Sequence, residues 1–266
     1  MDLTRNFQEE FMDKISIKYT KLVFTSLFCI ILTACSTTSK IDDSKVIDSS
    51  DPYESINRSF YSFNNSIDQH IMRPAASTYI SITPELLRIG ITNFFNNVSY
   101  LNVFVNSSLQ GKLDQSLSDI FRFIFNSTLG VGGLIDVATY MGLETHEEDL
   151  GQTLAVWGSG QGAYLNLPAF GPNTVRNVPD YVSDYFLNPI NYLATIVSLP
   201  VSALNLINSR ANLLNASNFI DSAAIDPYSF TREAYLQIRR SLIYDGNPPA
   251  ESFDDIFDLE FEEDIQ

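Results

Sequence analysis

The sequence predicts a mainly α-helical domain lying in one leaflet of a membrane and interrupted by a glycine-rich hairpin or loop. Three observations predict it. Apolar residues recur at helical spacing in three successive stretches. Three long segments carry no charged residue. Gly151, Gly158, Gly160, Gly162 and Gly171 crowd between Asp149 and Arg176.

The 266-residue chain opens on an export signal. Lys14, Lys18 and Lys21 form a positive n-region, Leu22 to Leu32 an apolar run, and the small Ala34 precedes Cys35. That run is 11 residues long, against about 20 for a helix that crosses a membrane. Leu32-Thr33-Ala34-Cys35 resembles a bacterial lipobox, in which the cysteine thiol takes a diacylglyceryl group and its freed amine a third acyl chain. Each buried methylene contributes about 0.8 kcal/mol, so several chains on one cysteine anchor stably. Residues 1–34 therefore read as a signal peptide and Cys35 as the lipid-attachment site. Asp2, Glu9 and Glu10 are out of place in an n-region and make Met12 an alternative start. Residues 36–50, rich in Ser, Thr and Asp, read as a flexible tether, and Ser36 after the cysteine suits delivery to an outer membrane.

Folded structure is expected over 51–246. Asp51-Pro52-Tyr53-Glu54 has capping-box spacing, and Ile56, Phe60, Phe63, Ile67 and Ile71 form one stripe of a helix that Arg73-Pro74 should close. Thr83-Pro84-Glu85 opens the next helix. Phe94, Val98, Leu101, Val105 and Leu109 form its stripe and are the candidate membrane-facing residues, with Asn93, Asn96, Asn97, Asn102 and Asn106 elsewhere on the wheel. Leu113, Leu117, Ile120, Ile124 and Thr128 make a third stripe, ended by Gly130 to Gly133. Over Asp149–Arg176 the glycines, with Pro168 and Pro172, predict a hairpin or irregular loop rather than helix. Trp157, Gly158, Gly160, Gly162 and Tyr164 are its candidate gating or channel residues, the two aromatics expected at an interface. Pro179, Pro189 and Pro200 cut the next region into short helices, and Asp226-Pro227 starts a last one that Asn247-Pro248-Pro249 stops. Residues 247–266 read as an acidic disordered tail.

Charge narrows the function classes. The net charge is −16, and nine acids with no Lys or Arg lie from Asp245 onward. Nucleic acid is excluded as a partner by this balance. No Asp, Glu, Lys or Arg occurs over Ile89–Gly111, Leu150–Val175 or Tyr185–Ser209, yet Asn, Ser, Gly and Pro interrupt each segment. Helices lying in a leaflet, polar face turned to protein or a watery passage, fit that pattern; a buried helical core is the other reading.

Chemistry is thinly supplied. With Cys29 in the signal and Cys35 acylated, the mature domain has no thiol, and His70 and His146 are its two histidines. His146-Glu147-Glu148-Asp149 reads as a solvated turn rather than a metal site. Gly158-Ser159-Gly160-Gln161-Gly162 lacks the Lys-Ser/Thr of a phosphate loop, and no Gly-x-Ser-x-Gly elbow of a lipase occurs. No cofactor, metal or catalytic residue is predicted. A phospholipase using another Ser/His arrangement, and a passive structural lipoprotein, stay as alternatives.

Asp51-Pro52-Tyr53-Glu54-Ser55-Ile56-Asn57-Arg58 with Phe60 and Phe63-Asn64 resembles the opening motif of the MlaA (VacJ) outer-membrane lipoproteins. Arg122-Phe123, Asn126 to Asp136, Glu147 to Leu154, Trp157-Gly158, Gly160 to Gly162, Leu167-Pro168, Gly171-Pro172, Arg176, Arg232 to Tyr235 and Tyr244 to Gly246 continue it in order. The resemblance implies a single ring-like helical domain embedded monotopically in the inner leaflet of the outer membrane, and no enzyme. It further implies removal of misplaced phospholipids from the outer leaflet through an amphipathic channel to a periplasmic phospholipid carrier, in company with a porin trimer. In the acidic tail, Phe253, Ile256, Phe257, Leu259 and Phe261 suit a segment that folds on that carrier; a merely solvated tail is the other reading.

Overall fold

Residues 51–249 are described by the structure, a computed structural model. Cys35, the tether and the tail beyond 249 lie outside them. The domain begins with α1 (Glu54–Ile67), which runs through a π turn (Asp68–Met72) directly into α2 (Arg73–Ile82). Arg73-Pro74 therefore does not close the helix. Pro74 occupies the first turn of α2, where a missing N–H is tolerated, and the wider π turn lies just ahead of it. Asp51 is not a cap either: its carboxylate is buried and accepts from Asn57 Nδ2 (2.7 Å), Arg232 Nη1 (3.2 Å) and the Tyr228 hydroxyl.

Next come α3 (Glu85–Leu109) and α4 (Leu113–Thr128), a hairpin with the most extensive helix pairing in the domain. The turn between them passes through Gly111 at positive φ. Short α5 (Val137–Tyr140) and α6 (Leu150–Val156) precede an antiparallel hairpin, β1 (Tyr164–Leu167) and β2 (Gly171–Thr174), with Tyr164 opposite Thr174 and Leu167 opposite Gly171. The predicted hairpin is present, but α6 was not expected. Asp149 caps it, accepting from Gln152 N at 2.9 Å, and so overrides the glycine at 151. Then follow α7 (Asp180–Leu187), a 3₁₀ turn (Pro189–Tyr192), α8 (Thr195–Asn212), α9 (Leu214–Ala223) and α10 (Pro227–Ile243), where Asp226 accepts from Tyr228 N at 3.2 Å.

The helices are turned inside out relative to a water-soluble domain. On α4, Ser116, Asp119, Arg122 and Asn126 are buried, while Leu113, Leu117, Phe121 and Ile124 on the other faces are exposed. On α1, Asn57 is buried while Ile56, Phe60 and Phe63 are exposed. Ile196, Val197, Leu199 and Leu206 of α8 are likewise exposed, so that charge-free segment turns much of its apolar surface outward. The apolar clusters are small: Ala76, Tyr79 and Ala211 in one, Phe95, Val98 and Ile190 in the other. No helix among the described residues is long and apolar enough to cross a membrane.

The expected stripe of α3 does not form one outer surface. Val98 is 8% exposed and Phe94 packs on its cluster, Leu101 and Val105 are half-buried, and Leu109 alone of the five is exposed. The reason is position: α3 packs on α4, α6, α7 and α8, so its apolar and polar faces are both covered. An inside-out domain makes opposite demands on its two faces. Asn57→Ala removes bonds to Asp51, the Tyr164 carbonyl and Asn166 N, and should cost about 3 kcal/mol in detergent-solubilised unfolding. Phe63→Ser should change that stability by less than about 0.5 kcal/mol while weakening binding to lipid vesicles.

Candidate functional site

A cavity of about 900 Å³ opens between α3, α4, the segment 144–148 and the end of α10. Asn96, Ser99, Tyr100 and Val103 of α3 form one wall, and Ser241, Leu242 and Asp245 the opposite one. A recess of about 50 Å³ adjoins it, reached past Asn96, Tyr100 and Thr145, which line both spaces. The recess goes on to Asn97, Arg122, Asn126 and Asp136. Together they make a cavity and recess of mixed polar and apolar lining inside an apolar exterior.

Its walls are held by paired charges. Arg122, 1% exposed, donates from Nη2 to both Asp136 oxygens (2.9 and 2.8 Å) and to Thr139 Oγ1 (3.1 Å), and from Nη1 to the Leu143 carbonyl. Burial works against the Asp136 carboxylate, but bonds from Thr139 and Asn126 and the Arg122 charge hold it below the usual range. Gly133, at positive φ, lies so close to Asn97 that a Cβ would sit 2.8 Å from Nδ2. The Gly130–Gly133 turn thus folds directly over the recess.

His146, Glu148 and Asp149 are not a solvated turn. His146 Nδ1 lies 2.7 Å from Oδ1 of buried Asp119, whose Oδ2 accepts from Ser107 Oγ at 2.8 Å. Glu148 accepts from Gln110 (2.7 Å), Gln115 (2.8 Å) and Lys112 (2.7 Å), and Lys112 also reaches Asp245 at 2.6 Å. Adjacent residues point to different faces, but here α4 and α10 receive them on both. No group of three His, Asp or Glu among the described residues gathers to hold a metal.

The glycine-rich residues divide. Tyr164 is fully buried against Tyr228 and Tyr235, ring centroids 6.2 Å away in each case, and so is not at an interface. The first residue of β1 points into the aromatic cluster because α1 pins the hairpin. Asn57 binds β1 through the Tyr164 carbonyl (3.0 Å) and Asn166 N (2.8 Å), and Asn64 binds the Leu167 carbonyl (2.9 Å) and Ala169 N (2.7 Å). Trp157 is exposed and donates from Nε1 to the Leu109 carbonyl at 3.1 Å. The loop from Gly158 to Gly162 is stapled by Arg176, which donates to the Ser159 carbonyl at 3.0 Å and from its backbone N to Gln161 at 3.2 Å. These residues and the cavity do not share lining side chains.

Sequence reasoning left the passage residues unassigned. The signal that pointed to them was the set of asparagines off the α3 stripe, of which Asn93, Asn96 and Asn97 line the passage. Arg122 and Asp136 stood out as motif residues, but their pairing, 14 positions apart along the chain, was not legible locally.

A helical domain that buries polar side chains and turns apolar ones outward is suited to lie against a membrane. More narrowly, the family model described as MlaA lipoprotein matches residues 49–242, and the chain belongs to that family. It is 36% identical over 225 residues to the intermembrane phospholipid transport system lipoprotein MlaA of Escherichia coli (strain K12), covering 80% of this chain and 89% of the relative. An uncharacterised protein of Rickettsia bellii is 36% identical over 195 residues, 73% of this chain and 76% of its own. A solved structure described as the structural basis for maintenance of bacterial outer membrane lipid asymmetry superposes with a TM-score of 0.64 at 34% identity. That match covers 74% of this chain and 100% of the other.

Two outcomes follow from this geometry. Gly160 has open space around a Cβ, whereas at Gly162, with φ +68°, a Cβ would lie 2.8 Å from Val175 Cβ. Gly162→Val should lower the unfolding temperature by several degrees and Gly160→Val leave it unchanged. Asp180, which accepts from Leu150 N at 2.9 Å, is pushed up to about 7 by burial and by nearby Asp149. Its folded state therefore keeps a proton that the unfolded chain releases near pH 4, so its contribution is present below about pH 4 and lost as pH rises through about 7. Asp180→Asn should flatten the fall in unfolding temperature between about pH 5 and pH 8, read by thermal melts in detergent.

Proposed function

We propose that this chain is the lipoprotein component of an intermembrane phospholipid transport system. Anchored through Cys35, it sits in the inner leaflet of the outer membrane and removes phospholipids misplaced in the outer leaflet. A head group moves through the polar passage while its tails follow apolar surface, and the lipid is handed to a soluble periplasmic carrier. A porin trimer beside the domain holds it in place, and the acidic tail over residues 247–266 meets the carrier. The observation that supports this reading best is the cavity and its recess, lined by Asn, Ser and paired charges within an apolar exterior. A transport path benefits from such a lining, because weak, repeated contacts release what they bind.

The reading is one of movement rather than bond breaking. Ser99 is exposed on the cavity wall and spends its hydroxyl on the Phe95 carbonyl. Ser99→Trp should fill the passage without disturbing the buried network. In cells carrying it as their only copy, surface-exposed phospholipid should rise to the level of a deletion strain, with protein abundance unchanged. Surface lipid equal to that of the parent would refute the passage. Release of lyso-lipid or fatty acid by the pure protein would favour a phospholipase, and unaltered surface lipid in the deletion strain a structural lipoprotein.

A further inference from the structure

The larger cavity is lined by four carboxylates, Glu144, Glu147, Glu148 and Asp245. Glu148 and Asp245 share one cation, the Lys112 ammonium, at 2.7 and 2.6 Å. His146 is turned to Asp119. The side chains of Glu144 and Glu147 are exposed and make no hydrogen bond or ion pair among the described residues. The cavity therefore carries negative charge that the domain itself leaves unneutralised.

An acidic wall alone would be only a solvated surface. The adjoining recess adds an independent observation: Asn97 Oδ1 and Arg122 Nε have no hydrogen-bond partner. Both residues line the recess and are 3% and 1% exposed. One is an acceptor lacking an N–H, the other a donor lacking an oxygen, and a buried group left so is costly. A ligand that carries an ammonium and, two carbons away, phosphate oxygens supplies both. We propose that this site selects phospholipids with a primary-ammonium head group, the phosphatidylethanolamine class, over net-anionic lipids with a glycerol head group. The proposal rests on the reading that head groups traverse this passage.

The ammonium is drawn by Glu144 and Glu147 and donates to Asn97 Oδ1. A phosphate oxygen behind it accepts from Arg122 Nε, whose positive charge is already matched by Asp136. A glycerol head group offers hydroxyls to the same two atoms, but takes an unmatched negative phosphate past the two carboxylates. Because those carboxylates are exposed, the discrimination is modest and screened by salt. Transport calls for a preference of that size, since tight capture would stall the lipid.

The full lipidated chain in detergent is mixed with micelles holding equal phosphatidylethanolamine and phosphatidylglycerol, and the lipid bound is quantified by mass spectrometry. Phosphatidylethanolamine should exceed phosphatidylglycerol about fivefold at low salt, and the ratio should approach unity at about 0.5 M salt. Glu144→Gln/Glu147→Gln should abolish the preference by lowering phosphatidylethanolamine uptake, with unfolding temperature unchanged, as both side chains are exposed and unpartnered. Phosphatidylcholine, cationic at the same place but without an N–H, should bind less than phosphatidylethanolamine. Equal uptake of the first two lipids by the unaltered protein overturns the selectivity and leaves the passage standing. A preference that survives in the double variant overturns its assignment to these carboxylates. If the unaltered protein takes up neither lipid, the passage falls and the proposal with it.

Discussion

Burying Arg122, Asp119, Glu148 and the asparagines of α3 away from water carries a cost that only their bonds to one another can offset. Removing any one partner leaves the other stranded in a low-dielectric interior, which is why the polar side chains come in closed sets. Arg122 is matched by Asp136, Thr139 and the Leu143 carbonyl. Asp119 is matched by Ser107 and His146, and Glu148 by Gln110, Gln115 and Lys112. Each set ties a helix to a loop or to a distant helix. The domain is held together at its centre by directed bonds rather than by a large apolar core.

That arrangement frees the apolar side chains to face outward, where a lipid leaflet takes the place of a core. Exposed Phe60, Phe63, Leu117, Ile124, Ile196 and Leu199 would be a liability in water. In hydrocarbon they lose nothing, and the charge-free segments keep charged groups from being drawn in with them. The outward apolar faces therefore suit the domain itself to a membrane surface.

The passage occurs where the closed sets do not quite close. Around α3 the polar face is wide enough that Asn96 and Ser99 look into open space while Asn97 keeps one oxygen unpaired. The Gly130–Gly133 turn can cover this point only because its glycines permit positive φ and close approach to the Asn97 amide. The hairpin, by contrast, lies away from the cavity and is fixed in place by α1. Asn57 and Asn64, two turns apart on α1, take hold of its strand and its tip.

Local sequence determined most of the helices, the starts at Glu85 and Pro227 and the hairpin among the glycines, because capping, turn chemistry and periodicity act over a few residues, although Pro200 lies inside α8 rather than breaking it. It also determined the family through motifs that later proved to be the buried polar sets, such as Arg122 with Asn126 and Asp136. Which face of each helix turned inward was not decided locally. An apolar stripe buries in one solvent and is exposed in another, so Phe60, Leu117 and Ile124 face out while Val98, covered by Ile190 and the helices around α3, does not. The pairing of Asp51 with Tyr228, of Asp119 with His146 and of Tyr164 with Tyr235 also came only with tertiary structure. Those partners lie far apart along the chain, and only folding brings their charges and rings within reach.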